Sequence, residues 1–317
     1  MATPGADPDE LYTLRNRFWL GNFQMAIAEG NNLARVADNL KTERDEFVYR
    51  SYVGLGQYTM VQAQIGADAP PALQAVKVLA QYMADPEGSK DEVLAKCDAW
   101  CKDGTVESAP SVGLTCALIY DKESATDKAF QAIQAQKTME QMAFWAQLCL
   151  KIHRADLAAE HAKKLQALDE DATLTQMVSA WVHLAQGGDK IKEAAMAYEE
   201  LIDKFDASVS LLNGLAACHM HLKEWDDAEK VLLQALGKGD NAETLLNLVA
   251  VYTHLNKPDD VIERYITQLK TQFPTHPQVQ RIVRLEATFD RVAERMKLKE
   301  GSDVPPGAAV GADDDDD

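Results

Sequence analysis

The chain has 317 residues, with Lys+Arg 32 against Asp+Glu 50, a formal net charge of −18 and a sequence pI of 4.8. A hydrophobic content of 46% supplies enough apolar surface for a sizeable core. The acid excess argues against nucleic acid and bare anionic membrane as partners, because both are recognised mainly through Lys and Arg. The acid gathers at the ends: residues 300–317 carry seven acids and residues 1–10 carry three, neither with a base, which leaves 40 acids against 32 bases in the body.

Residues 1–9 contain neither a basic region nor an apolar run, so a flexible N-terminus without a signal peptide is expected. From residue 10 to residue 299 apolar residues recur at intervals of three and four, and alternating strand-like stretches of useful length are missing. The predicted class is all-α. The longest uncharged runs, 51–67 and 172–188, contain Gln, Ser, Thr or paired Gly and do not read as membrane spans. A soluble cytosolic protein is the expectation.

In chain order, Gly21-Asn-Phe23-Gln-Met-Ala26 and Gly56-Gln-Tyr58-Thr-Met-Val61 read as two alike turns, each entering a second helix. Five cysteines follow, Cys97, Cys101, Cys116, Cys149 and Cys218. Cys97 and Cys101 share a helix face, but no Cys-x-x-Cys pair or zinc-finger His spacing accompanies them, so buried free thiols are predicted. Gly187-Gly188-Asp189 is a longer turn. Counting 34 onward from Leu212 matches Leu246, and likewise Asn213 with Asn247, Ala216 with Ala250, Leu232 with Ile266 and Asp240 with Pro274. That is the length of a tetratricopeptide helix–turn–helix, with Ala216, Trp225 and Ala228 in its small, aromatic and small slots and Pro274 closing the following unit. The residue opening each second helix is placed at Ala26, Val61, Ala95, Ala129, Ala158, Ala194, Ala228 and Ile262. Trp225 is expected to be buried, its truncation to Ala costing about 3–5 kcal/mol.

The architecture expected is therefore a tetratricopeptide-like helical-hairpin solenoid of about eight hairpins, in which neighbouring pairs stack to make one continuous core. A final helix over 277–299 would cap it, with Arg281, Arg284, Arg291 and Glu294 facing solvent. Residues 300–317, with Pro305-Pro306-Gly307 and the run Asp313 to Asp317, should be a disordered acidic tail.

Catalytic signatures are missing: no phosphate loop, zinc helix or nucleophile elbow. Gly54-Leu-Gly56 lacks a third glycine and lies between helices. His219-Met-His221 places its imidazoles on different helix faces, and Asp169-Glu170-Asp171 suits a helix N-terminus better than a metal. No catalytic residue, metal or cofactor is assigned. Binding is the alternative. The first helix of each hairpin lines the groove of such arrays. Asn213 and Asn247, at the fifth position, could exchange hydrogen bonds with a partner backbone or simply form a solvated face. Met220 and His254 are further candidate contacts. A chaperone-type clamp would need Lys and Asn in successive first helices, and the clear repeats show no such basic set. A free-standing tetratricopeptide adaptor remains the alternative reading.

Several longer stretches are idiosyncratic. Leu168-Asp-Glu-Asp-Ala-Thr-Leu-Thr-Gln176 and Leu211-Leu-Asn-Gly-Leu-Ala-Ala-Cys-His-Met220 with Trp225 resemble the epsilon subunits of coatomer. So do Pro71-Ala-Leu-Gln-Ala-Val76, Gln268-Leu-Lys270, His276-Pro277, Phe289-Asp-Arg291 and the opening Leu11-Tyr-Thr-Leu-Arg-Asn-Arg-Phe18 with Gly21. The resemblance covers residues 9–296 and lapses in the acidic tail. It implies a non-catalytic member of the coat protein complex I, recruited to Golgi membranes by an Arf-type GTPase. It also implies a solenoid curling around the C-terminal region of the coatomer alpha subunit, in Golgi-to-endoplasmic-reticulum retrieval and intra-Golgi vesicle transport. Membrane contact would be peripheral, through the rest of the coat.

Overall fold

The computed structural model describes residues 9–33 and 35–296, and every regular element among them is helical. The expected flexible N-terminus falls almost wholly, and the acidic tail wholly, outside the described residues. Helices pair in sequence: α1 (Tyr12–Trp19) with α2 (Phe23–Asn32), α3 (Asp38–Gly54) with α4 (Tyr58–Gln64), and α5 (Pro71–Ala84) with α6 (Pro86–Lys102). A single turn, α7 (Thr105–Ser108), precedes the pair α8 (Pro110–Lys122) and α9 (Thr126–Ala132). Then come α10 (Met139–Lys151) with α11 (Ala155–Leu168), α12 (Thr173–Gln186) with α13 (Lys190–Phe205), and α14 (Val209–Leu222) with α15 (Trp225–Leu236). The last elements are α16 (Ala242–His254), α17 (Asp259–Gln272) and α18 (Pro277–Arg295). The chain divides inside α16 into two compact units, one ending at Asn247 and the other beginning at Leu248.

One turn recurs in six hairpins. A residue in the left-handed region ends the first helix: Gly21, Gly56, Ser124, His153, Lys223 and Asn256, with φ between 50 and 79°. The next N–H then reaches back five residues, as in Asn22 N to Arg17 O at 2.8 Å, Ala125 N to Tyr120 O at 2.8 Å and Glu224 N to His219 O at 2.9 Å. This closure satisfies carbonyls that the helix end would leave without partners. The α12–α13 connection is the longer turn expected at Gly187 and Gly188, both with positive φ. The α5–α6 connection departs most: Asp85 Oδ1 accepts from Gly88 N at 3.0 Å, and Pro86 occupies the first helical position.

That departure corrects the predicted register. Ala26, Val61, Ala129, Ala158, Ala194 and Ala228 are all fully buried near the start of second helices. Ala95 is exposed instead, and the equivalent fourth residue of α6 is the buried Ser89, whose hydroxyl donates to Asp85 O at 2.6 Å. The Asp85-Pro86 junction starts α6 early, and α7 takes up the residues that a constant 34-residue spacing assigns elsewhere. Ala216 is fully buried as expected, whereas Ala250 and Ile262 are half-buried and Pro274 is exposed. Trp225, expected to be buried, is half-buried: as the first residue of α15 it has one flank beyond the helix packing. The final helix ends the array as expected, with Arg281, Arg284, Arg291 and Glu294 exposed. Its packing is thin: within α18 only Val279 is buried, while Val283, Leu285, Phe289 and Val292 are exposed, as is Met296 just after it. At 19 residues, α18 is longer than the 14-residue α17 preceding it.

The first unit closes on itself. Leu20, at the end of α1, is fully buried among Met177 and Ala180 of α12, Ile191 and Ala194 of α13, and Leu211 and Leu215 of α14. A Cβ added at Gly21 would stand 3.5 Å from the Ser210 Cβ. The first hairpin thus packs against the sixth and seventh as well as the second. In the second unit, Tyr252 and Tyr265 bring α16 and α17 together edge-to-face at 5.5 Å.

A candidate partner-binding groove

The closure leaves an inner cavity of about 570 Å³ in the first unit. Its wall comes from the first helix of nearly every hairpin: Phe18 and Trp19 of α1, Arg50 of α3, Leu118 of α8, Phe144 and Gln147 of α10, Met177 and Trp181 of α12, and Ser210 and Asn213 of α14. First helices point inward here because their other faces are buried against their own second helices and the next pair. The lining joins aromatic and aliphatic surface to a few polar groups, the makeup of a site that holds another chain.

A charged node fixes one wall. Arg50 donates to both oxygens of Glu140, at 2.9 and 3.0 Å, and to Glu46 Oε1 at 3.3 Å. Its guanidinium lies 4.5 Å above the Phe18 ring, and Trp19 Nε1 donates to Glu140 Oε1 at 2.9 Å. These contacts tie α1, α3 and α10 together across residues far apart in sequence. Burial pushes the Glu46 carboxyl up to about 7, Arg50 pulls against that rise, and the Glu140 charge adds to it. For Arg50 burial works against the charge, but the Glu140 and Glu46 carboxylates outweigh it and raise its pKa. Sequence reasoning missed this node. The only local sign of it is the four-residue spacing of Glu46 and Arg50 beside Phe47; nothing near Glu140 marks it as their partner.

The proposed contact residues fall into two sets. Asn213 donates to Val209 O and to Thr244 Oγ1, each at 2.8 Å, and its Oδ1 accepts from Asn247 Nδ2 at 3.1 Å. Repeat-equivalent positions of neighbouring first helices lie side by side, so the asparagines satisfy each other, and both amide hydrogens of Asn213 are committed within the fold. Asn247 and Met220 line a smaller cavity of about 320 Å³ together with Ala217, His221 and Trp225. His254 lies in the second unit, exposed at the end of α16. Among the described residues no group of three or more His, Cys, Asp or Glu is arranged to hold a metal ion, and no helix is long and apolar enough to cross a membrane.

Solved structures of the same fold are repeat proteins. The chain superposes on the APC/C hetero-tetramer Cut9-Hcn1 with a TM-score of 0.59 at 15% identity, covering 87% of this chain and 55% of that one. It superposes on a tetratricopeptide repeat protein from Parabacteroides merdae with a TM-score of 0.56 at 11% identity, covering 83% and 98%. Sequence relatives are more informative. Coatomer subunit epsilon-1 of Oryza sativa subsp. japonica is 39% identical over 290 residues, 91% of this chain and 99% of that protein. Coatomer subunit epsilon-2 of Arabidopsis thaliana is 37% identical over 295 residues, 93% and 99%, and coatomer subunit epsilon of Dictyostelium discoideum is 32% identical over 290 residues, 89% and 97%. The family model of the coatomer epsilon subunit matches residues 7–297, a range that contains every described helix. The chain belongs to the coatomer epsilon subunit family.

Proposed function

We propose that the chain is a non-catalytic structural component of coatomer whose inner groove grips the C-terminal region of the alpha subunit. In this reading it serves Golgi-to-endoplasmic-reticulum and intra-Golgi vesicle transport, on the cytosolic face of Golgi membranes and coated vesicles. It reaches the rest of the coat through the alpha subunit. The observation that supports it is the closed first unit, with a cavity of about 570 Å³ walled by first helices and carrying Phe18, Trp19, Leu118, Phe144 and Trp181 on its surface. Such a cavity offers an inserted segment apolar burial on several sides at once. Met220, Asn247 and His254 are proposed as further contacts. Asn213 acts through its bond to Asn247.

Gln147 provides the test. It lines the groove on α10 yet is exposed, so Gln147→Trp fills space without removing a core side chain. Co-expression of the chain with the C-terminal region of the alpha subunit should yield a stoichiometric complex on a sizing column. Gln147→Trp should weaken that complex by at least about tenfold with its melting temperature unchanged. Separate elution of the two wild-type chains contradicts the partner; full binding by the variant contradicts the groove.

A further inference from the structure

Away from the groove, three of the five cysteines converge on one place. Cys97 and Cys101 lie one turn apart on α6 and pack into one apolar cluster with Cys116 of α8, which is itself one turn before Tyr120, whose hydroxyl stands 3.9 Å from the Cys101 sulfur. Cys97 and Cys116 are fully buried. Cys101 is half-buried and opens into a cavity of about 720 Å³, with Lys102, Glu107, Lys128, Gln131 and Gln134 around its polar mouth. A single buried thiol would be inert, but here an accessible sulfur sits against an inaccessible one on the neighbouring helix. That is the arrangement of an attacking and a resolving thiol.

We propose that this cluster is a thiol redox site. A small hydroperoxide entering from the cavity oxidises Cys101, and Cys116 resolves the product to a disulfide joining α6 to α8.

The surroundings suit each step. Tyr120 Oη stands 3.9 Å from the Cys101 sulfur, but its proton is committed to Asp98 Oδ1 at 2.6 Å, where Lys128 also donates at 2.9 Å. The neighbouring Cys116 is the first cause that holds Cys101 below the ordinary thiol range, with burial working against it. Its two cysteine neighbours and burial hold Cys116 far above that range. In the reduced state Cys101 is therefore the more readily ionised of the two.

In the first step the Cys101 sulfur attacks one peroxide oxygen and the O–O bond breaks. The departing oxygen takes a proton and leaves as water or an alcohol, with Cys101 oxidised to a sulfenic acid. In the second the Cys116 sulfur attacks Cys101, its proton passing to the departing hydroxyl, which leaves as water as the S–S bond forms. Two thiols and one hydroperoxide give one disulfide, one water and the reduced peroxide. Cys149, raised by burial, and Cys218, pushed up to about 11 by burial, are internal controls.

The full-length chain treated with hydrogen peroxide should lose two of its five free thiols. Peptide mapping should recover one dithiothreitol-sensitive link, Cys101 to Cys116. Before oxidation, iodoacetamide at neutral pH should alkylate Cys101 at least about tenfold faster than Cys149 or Cys218. Cys101→Ser should abolish the link, and Cys116→Ala should stop the reaction at a sulfenic acid on Cys101 that dimedone captures. Should the buried Cys116 change unfold the protein, the wild-type peptide map decides alone. A Cys97–Cys101 link, a Cys101 oxidised while Cys116 stays reduced, or oxidation of Cys149 or Cys218 ahead of Cys101 would each overturn the proposal.

Discussion

Glu46 and Glu140 face a single guanidinium, and this asymmetry makes Arg50 the residue on which the inner wall depends. Removing a buried cation from between two carboxylates leaves their charges uncompensated, so Arg50→Ala should cost about 3–5 kcal/mol in a urea melt. Arg50→Lys should recover only part of this, since an ammonium cannot make the two parallel bonds to Glu140 or stack on Phe18 in the same way. Glu46 carries a pH signature. Its folded pKa of about 7 lies above its ordinary 4.5, so folding takes up a proton between those values. Its contribution to stability is present in full below about pH 4.5 and disappears as pH rises through 7. The shift bounds that contribution at about 3 kcal/mol. Glu46→Gln should flatten the dependence of melting temperature on pH between 5 and 8; parallel curves for the two proteins would contradict the assignment. None of this was readable in advance, because Glu140 stands 90 residues from Arg50 and only the closure of the first unit brings them together.

At the scale of the helix, the recurring left-handed turn offers a cleaner test than any contact. Gly56 has nothing within 4 Å of an added Cβ, so Gly56→Ala probes backbone strain alone and should cost about 1–2 kcal/mol. Lys223 already bears that strain at φ 63°, and Lys223→Gly should stabilise by about 0.5–1 kcal/mol. Opposite signs in paired thermal melts check both. Sequence revealed this turn where glycine supplies it, at Gly21 and Gly56, and concealed it at Ser124, His153 and Lys223, whose types do not announce a left-handed backbone. The small-residue register was equally legible wherever that turn recurs and failed at Ala95, where Asp85 and Pro86 build a different junction. Packing depth was hardest to read. Trp225 sits in its aromatic slot but is half-buried, so Trp225→Ala should cost less than Leu232→Ala, which empties a fully buried position at about 2–5 kcal/mol. The reverse order would restore the deeper placement of Trp225.

On the scale of the whole chain, family stretches were legible over residues 9–296 and the repeat over most of its hairpins, but closure was not. Helical periodicity specifies which face of each helix is buried, not the small rotation between successive hairpins that accumulates into curvature. Leu20 shows the limit: as a residue it is one more apolar position, yet it is the contact that brings α1 onto α12, α13 and α14. The candidate site follows the same division. The first helices were identified as groove-forming, but Trp19, Arg50, Phe144 and Gln147 share a wall only once the ring is shut. The asparagines singled out by their spacing turned toward each other, because a repeat period places like residues as neighbours.

The central claim is that the inner wall of the first unit, rather than its outer helices, holds the segment from the alpha subunit. A photo-crosslinking residue placed at Gln147 on α10 and, separately, at Lys164 on α11 compares the two surfaces directly, since both positions are exposed. With the C-terminal region of the alpha subunit present, the account requires a covalent adduct from position 147 and none from position 164. An adduct from 164 with none from 147 would contradict it.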